Sequence, residues 1–198
     1  YFFSPARDYL NFSIGAGGYW YQKKFEDIDV LAKVDFFTRI HYWKRKWRQR
    51  YFLSSSFARQ FKNLLSEPLR LESDYGLREI RNNWQGGNFR LAVKGESVFF
   101  SPWSVLLFRF APFVFINSAL FREKRDSANN YDSKIYSSIG CGVRIRNESL
   151  IFGTIEFRGM YFPRKNFFHE SWRFEARTNI RFKYNQQFIK RPEFIRVN

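Results

Sequence analysis

The sequence predicts an all-β fold, namely a transmembrane antiparallel β-barrel. Apolar and polar residues alternate along eight segments of the chain, which is the pattern of strands whose two faces have different surroundings. Aromatic residues make up 22% of the chain, more than the core of a soluble domain of 198 residues usually holds, yet the mean hydropathy is -0.49. From the fourth segment onward, short and long connections alternate, as they do in transmembrane barrels.

One alternating segment and the loop before it organise the middle of the chain. Residues 75–81 form a polar loop, and the run Gly87 to Phe100 follows it. One face of this run is apolar and the other is charged, so the strand needs an apolar environment on one side and water on the other. The apolar face carries Phe89, Leu91, Val93 and Phe99, and the charged face carries Arg90, Lys94 and Glu96.

The composition excludes several classes of protein. No apolar run reaches the roughly 18 residues that a transmembrane helix needs. The single Cys141 allows neither an internal disulfide nor a cysteine-based metal site. The sequence contains no Gly-x-Ser-x-Gly motif, no pair of His residues at metal-ligand spacing and no P-loop. We therefore predict that the chain is not an enzyme and has no catalytic residue, no cofactor and no bound metal.

The formal net charge of +16 raises the alternative of a nucleic-acid-binding protein. The distribution of the charges argues against nucleic acid as a partner. The charges recur at every second residue of most strands and in loops, and they do not form one dense tract or a helix face.

The start of the sequence predicts an incomplete domain. The chain begins at Tyr1 without Met, and its first residues read like the end of a preceding segment. We therefore expect residues 1–198 to be the C-terminal part of one transmembrane barrel domain, with further strands and any periplasmic domain upstream.

The predicted strands are regular except for the third, whose end also fits a helix over Ser55 to Leu65. We expect a polar loop over Lys23 to Asp29, a tight turn over Ser101 to Ser104 and a long charged loop over Arg122 to Ser133. The eight strands are predicted at Tyr9 to Tyr21, Asp29 to Tyr42, Gln49 to Lys62, Gly87 to Phe100, Val105 to Phe121, Lys134 to Arg146, Leu150 to Phe162 and Trp172 to Tyr184.

The eighth predicted strand alternates most clearly. A soluble β-sandwich is the alternative fold, but it would turn its polar faces outward around an apolar core. Here a charged face recurs on nearly every strand, so closing the sheet places these charges around a wet lumen and the rings against lipid. The apolar face of the eighth strand carries Trp172, Phe174, Ala176, Thr178, Ile180, Phe182 and Tyr184.

Three stretches occur in an order that points to one family. The long loop holds Gly76-Leu77-Arg78-Glu79-Ile80, the fourth strand ends in Gly95-Glu96-Ser97-Val98-Phe99-Phe100-Ser101-Pro102, and the fifth contains Phe113-Val114-Phe115-Ile116-Asn117-Ser118-Ala119. This order resembles the C-terminal barrel of the outer-membrane assembly and secretion family that includes BamA, TamA and the two-partner-secretion transporters. The resemblance covers Tyr9 to Phe188 and implies the last eight strands of a sixteen-stranded barrel.

The resemblance also implies a role for the loop. In that family the loop folds into the lumen, and its arginine pairs with acidic residues on the next two strands. Arg78 matches this arginine and Glu96 matches the first acidic partner. Glu79 and Ile80 depart from the glycine and the aromatic residue of the family motif, and Asn117 stands in place of the second acid. We expect Arg78 to pair with Glu96 inside the lumen, with Asn117 contributing a hydrogen bond.

The function implied by the resemblance is insertion or translocation of polypeptides at the outer membrane of a Gram-negative-type cell envelope. The eighth predicted strand is then one side of a lateral seam, an edge that can pair with a client strand. The expected partners are outer-membrane lipid, client or secreted polypeptides, and accessory outer-membrane or periplasmic proteins. The alternatives are a barrel that anchors an upstream lipase-like or phosphoesterase-like domain, and a diffusion pore, which the inward loop disfavours.

Overall fold

The computed structural model describes residues 7–43, 46–62, 67–80, 86–124, 131–147, 152–164 and 171–180. This part of the chain contains ten strands and no helix, which confirms the predicted all-β class. Among these residues, no helix is long and apolar enough to cross a membrane. The strands are β1 (Tyr9–Tyr21), β2 (Lys24–Phe37), β3 (His41–Tyr42), β4 (Arg48–Lys62), β5 (Gly87–Phe100), β6 (Ser104–Val105), β7 (Phe108–Lys124), β8 (Tyr131–Asn147), β9 (Phe152–Tyr161) and β10 (Trp172–Ile180).

All ten strands belong to one antiparallel sheet. The long strands pair in the order β1-β2-β4-β5-β7-β8-β9-β10, while the short strands β3 and β6 pair with β4 and β7. This order is chain order, as expected where consecutive antiparallel strands are joined by hairpin connections. In the described residues β1 and β10 each have one neighbouring strand, so the sheet is open at these two edges.

The sheet has two faces of different character. We name the face that residues 67–80 cover the loop face, and the opposite one the exposed face. The strand register places Lys94, Asn117 and Ser138 in one row on the loop face. Ile116 and Ile139 lie in the adjacent row on the exposed face. Large apolar side chains are open along the whole exposed face, namely Leu10, Phe12, Ile14, Phe36, Leu53, Val93, Val114, Ile116, Ile139, Phe157 and Phe174.

The predicted facing of the strands agrees with this arrangement. On β10, Phe174 is 81% exposed, whereas Arg173 and Arg177 lie on the loop face and are half-buried. Trp172, Ala176 and Thr178 are exposed on the same face as Phe174. The side chain of Ile180, and the residues Phe182 and Tyr184, lie outside the part of the chain that the structure describes.

The buried apolar core lies between the loop and the loop face. Glycines of β8 make room for rings of β7, because a Cβ on Gly140 would lie 2.6 Å from the ring of Phe115, and one on Gly142 would lie 2.6 Å from the ring of Phe113. The core consists of Leu71, Leu77 and Ile80 of the loop together with Ala92, Val98, Phe113, Phe115, Ala119, Phe121, Tyr136, Met160 and Phe162.

The first hairpin is tighter than the sequence predicts. β2 begins at Lys24, so the polar loop predicted over Lys23 to Asp29 is wrong. A two-residue turn joins β1 to β2, and both of its residues, Gln22 and Lys23, have positive φ. The register shifts between Tyr19 and Trp20, and the partner strand loses its alternation there, so the beginning of β2 has the sequence pattern of a loop.

Other predicted boundaries also differ. The predicted second strand is interrupted, because β2 ends at Phe37 and His41–Tyr42 forms the separate strand β3. The helical alternative over Ser55 to Leu65 is wrong for its described part, which is strand up to Lys62. Both ends of the charged loop predicted over Arg122 to Ser133 belong to β7 and β8.

The tight turn after β5 lies at Leu106 and Leu107, between β6 and β7, and not at Ser101 to Ser104 as predicted. The two φ angles are 47° and 65°, in the left-handed region that costs a residue with a side chain about 1 to 2 kcal/mol. Their side chains are 85% and 67% exposed, so burial within the described fold does not offset this cost. Two-residue turns of this kind favour Asn-Gly, and therefore a Leu-Leu pair carries no turn signal.

Replacing both turn residues, as Leu106→Asn with Leu107→Gly, should raise the free energy of unfolding by about 1 to 2 kcal/mol, because both new residues tolerate positive φ. Urea unfolding of the protein measures this change. Leu106→Ala with Leu107→Ala is the control, since it removes the apolar side chains but keeps the backbone strain, and it should give no gain. A loss of stability in the Asn-Gly variant would show that the leucine side chains themselves stabilise the fold.

Candidate functional site

Residues 67–80 form a loop that lies across the loop face and is hydrogen-bonded to it. Backbone carbonyls of the loop accept hydrogen bonds from side chains of β4, β5 and β10, so the loop joins strands that are distant in the sheet. The donors and acceptors are Gln60 Nε2 to Glu67 O at 3.0 Å, Lys94 Nζ to Asp74 O at 3.0 Å, Arg173 Nη1 to Glu79 O at 2.8 Å, Ser56 Oγ to Tyr75 O, and Arg90 Nη1 to Arg70 O.

Glu79 fixes one end of the loop to the middle of the sheet. It is 3% exposed, and its Oε1 accepts hydrogen bonds from Asn117 Nδ2 at 2.7 Å and from Ser138 Oγ at 2.6 Å. Asn117 and Ser138 are themselves buried and lie opposite each other in the register of β7 and β8. A buried carboxylate is stable only when its oxygens are hydrogen-bonded, so these two donors define where the loop docks.

Arg90 of β5 holds the other end of the loop. It is 4% exposed and donates from Nη1 to Ser73 Oγ at 2.7 Å and to the carbonyl of Arg70. Ser73 closes a turn, because its Oγ accepts a hydrogen bond from the backbone N–H of Gly76 at 2.9 Å. A side chain at Gly76 would collide with the carbonyl oxygen of Leu71, so this turn requires glycine.

A chain of alternating charges lies beside the loop on β5, β8 and β9. Arg144 donates two hydrogen bonds to Glu96, at 2.5 and 2.8 Å, and a third to Glu156 at 2.7 Å. Glu156 also accepts a hydrogen bond from Arg158 Nε at 2.7 Å. The guanidinium of Arg144 lies 4.3 Å from the centroid of the Phe113 ring. Bidentate pairing and ring stacking together hold Arg144 in one orientation.

A cavity of about 390 Å³ lies between the loop and this chain of charges. Ion pairs compensate most of the charged groups that line it, since Arg144 pairs with Glu96 and Glu156, and Arg177 pairs with Glu175. The cavity is therefore a polar space suited to water. Its charged lining consists of Arg78, Lys94, Arg144, Arg158, Arg177, Asp74, Glu79 and Glu96.

The predicted partner of Arg78 is wrong. Arg78 pairs with Asp74 of the same loop at 2.8 Å, and its side chain is 55% exposed. Glu96 pairs with Arg144 of β8. Arg78 and Glu96 line the same cavity, but each pairs with another residue. Asp74 is the partner of Arg78, and Arg144 is the partner of Glu96.

Residues of the predicted motif dock the loop on the loop face, but the donor and the acceptor are exchanged relative to the prediction. The loop supplies the acid, Glu79, and the strand supplies the neutral donor Asn117. Gly76, Leu77 and Ile80 are buried as part of the same docking contact. The sequence does not signal this exchange, because the amide of Asn117 can accept a hydrogen bond from an arginine as well as donate one to a carboxylate.

The substitution Arg78→Ala should change the free energy of unfolding by less than about 0.5 kcal/mol, because an exposed ion pair contributes little. Asp74→Ala is the matched control and should behave alike. The change is measured by urea unfolding of the protein. A loss of several kcal/mol in Arg78→Ala would mean that Arg78 has a buried partner after all.

No group of three or more His, Cys, Asp or Glu side chains in the described residues is arranged to bind a metal ion. Comparison of the chain with protein-family models, with curated proteins and with solved structures found no match. The family suggested by the motifs of the loop and of β5 and β7 therefore stays a prediction.

Proposed function

We propose that this sheet is part of the wall of a transmembrane β-barrel in an outer membrane, with its exposed face against lipid and its loop face toward a water-filled lumen. The chemistry of the exposed face is the observation that supports this most. The exposed side chains extend from one edge of the sheet to the other. Leu10 on β1 is 66% exposed, Ile116 on β7 in the middle is 61% exposed, and Phe174 on β10 is 81% exposed. Burying each such side chain is worth about 1.5 to 3 kcal/mol, and monomeric soluble proteins rarely leave an apolar surface of this extent open.

The proposal requires that further strands pair with β1 and β10. An unpaired backbone group in the hydrocarbon region costs several kcal/mol, so an open edge is not tolerated there. The ion pairs of the loop face fit the other side of such a wall, because charged groups in a water-filled lumen keep part of their hydration.

Within this barrel we assign the chain to insertion or translocation of polypeptides. The order of its loop and strand motifs resembles the family with that activity. The loop, held by Glu79 and Arg90, lies across the lumenal face and so obstructs simple diffusion. When the seam between β10 and the strand that closes the barrel opens laterally, the edge of β10 offers backbone groups with which a client strand can pair.

Cys141 provides a test of the membrane orientation. It is the one cysteine of the sequence, and its side chain is accessible on the exposed face. In isolated membranes a charged maleimide should label Cys141 only after the lipid is dissolved with detergent. The control combines Cys141→Ser with Glu72→Cys, which places a thiol at an exposed loop position and should react without detergent. Rapid labelling of Cys141 in intact membranes would overturn the proposed orientation.

Photo-crosslinking tests the polypeptide activity separately. A photoreactive amino acid at Thr178, on the edge strand, should crosslink to newly made polypeptides in living cells. The same amino acid at Ser118, in the middle of the sheet on the same face, should not. If neither position crosslinks to polypeptide while Cys141 stays protected by lipid, the barrel serves as an anchor and not as a transporter.

A further inference from the structure

The charged residues of the exposed face are concentrated at one end of the sheet. On β4, β5, β7 and β8, the register assigns to this face only three charged residues, Arg59, Arg122 and Lys124. All three are cations and all three are exposed. They lie at the strand ends next to connections 63–86 and 125–130, where the proposed orientation places the boundary between hydrocarbon and lipid headgroups.

Two of these cations flank an aromatic ring in one row of the sheet. Phe89 of β5 lies opposite Arg59 of β4 on one side and opposite Arg122 of β7 on the other. Neighbouring strands are about 4.8 Å apart, so the Cα atoms of the two arginines are separated by about 10 Å. Their guanidiniums lie over rings, with Arg59 at 4.6 Å from the centroid of Phe61 and Arg122 at 5.3 Å from that of Tyr131.

We propose that Arg59, Arg122 and Lys124 bind the phosphate group of an anionic lipid whose acyl chains lie on the apolar part of the same face. This inference rests on the proposed function, because it requires lipid at the exposed face. Charge complementarity supports it: the described exposed-face positions of these four strands present three cations and no carboxylate. Leu91 and Leu120 lie in the next row toward the membrane centre and give acyl chains an apolar contact. Stacking on rings positions the guanidiniums, and the N–H groups in the guanidinium plane can bind phosphate oxygens.

The test compares two lipids that differ in headgroup alone. The full protein is purified in detergent micelles, and the binding of phosphatidic acid and of phosphatidylcholine with identical chains is measured by native mass spectrometry. The wild type should prefer phosphatidic acid. Arg59→Gln with Arg122→Gln should weaken phosphatidic acid binding about 25-fold, which corresponds to about 2 kcal/mol for two cations at the membrane surface. The control Arg70→Gln with Arg146→Gln removes the same charge from the loop and the loop face, and should retain the preference.

Each result decides one point. Equal binding of phosphatidic acid to the wild type and to the Arg59→Gln, Arg122→Gln variant would overturn the lipid site while leaving the barrel proposal intact, provided that Cys141 stays protected in membranes. Inorganic phosphate at the concentration of the lipid should not displace it, and displacement would overturn the assignment to a lipid. A reactive Cys141 in intact membranes would overturn the proposed function, and the lipid site with it.

Discussion

The substitution Glu79→Ala should lower the free energy of unfolding of the full protein by about 2 to 6 kcal/mol. The carboxylate is the shared acceptor of Asn117 Nδ2 and Ser138 Oγ, and both donors are buried. Each donor that loses its acceptor in a buried site costs about 1 to 3 kcal/mol. Urea unfolding in detergent micelles measures the loss, and limited proteolysis within residues 67–80 reports whether the loop has been released.

Two companion variants separate this contact from a general effect of truncation. Glu79→Gln keeps an acceptor oxygen at the same place and should cost only about 1 kcal/mol, which is what a neutral hydrogen bond contributes. Adding Ser138→Ala to Glu79→Ala should cost little more than Glu79→Ala alone, since the two residues share one interaction. A Glu79→Ala protein as stable as the wild type would contradict the assignment of Glu79 as the docking residue of the loop.

The substitution Arg144→Met should cost about 3 kcal/mol. Among the described residues Arg144 is the cation that pairs with Glu96, and it also pairs with Glu156, which keeps Arg158. Removing the arginine leaves the Glu96 carboxylate half-buried without its cation, and breaking a buried pair in this way typically costs 3 to 5 kcal/mol. The Arg144 side chain is 28% exposed, so partial solvation reduces the loss to the lower end of this range.

A second substitution checks that the lost ion pair causes the effect. Adding Glu96→Gln to Arg144→Met removes the abandoned charge and should recover part of the stability in the same urea titration. Glu96→Gln alone should cost less than Arg144→Met, because Arg144 retains Glu156. If the double variant is as unstable as the sum of the two single variants, the pair does not stabilise the fold.

The strands and their facing were predictable because the signal is local. Alternation along a strand depends on the two environments beside it, and every residue of the strand from Trp172 to Thr178 carries that signal. The first hairpin shows where this fails. A register shift at Tyr19 and Trp20 breaks the alternation, and the sequence then reads as a loop although the backbone continues as a strand.

The contacts of the site were only partly predictable, because they depend on register and on the path of the loop. Arg78 and Glu79 are adjacent, and a loop without a repeating period does not indicate which of them points toward the sheet. Arg144 is 48 residues from Glu96 in the chain, and only the combined register of β5, β7 and β8 brings the two together. The positive φ angles at Leu106 and Leu107 could not be predicted from the sequence either, because leucine does not signal a turn.

Spin labels along β10 test the central claim most directly, which is that the exposed face contacts lipid. Single cysteines at positions 174 to 178, each in a Cys141→Ser background, are labelled in the full protein and studied in lipid vesicles. The proposed orientation predicts that labels at Phe174, Ala176 and Thr178 collide with oxygen dissolved in the bilayer and are shielded from a water-soluble nickel chelate. Labels at Glu175 and Arg177 should show the opposite preference. Equal access of the nickel chelate to all five positions would contradict a lipid-facing sheet.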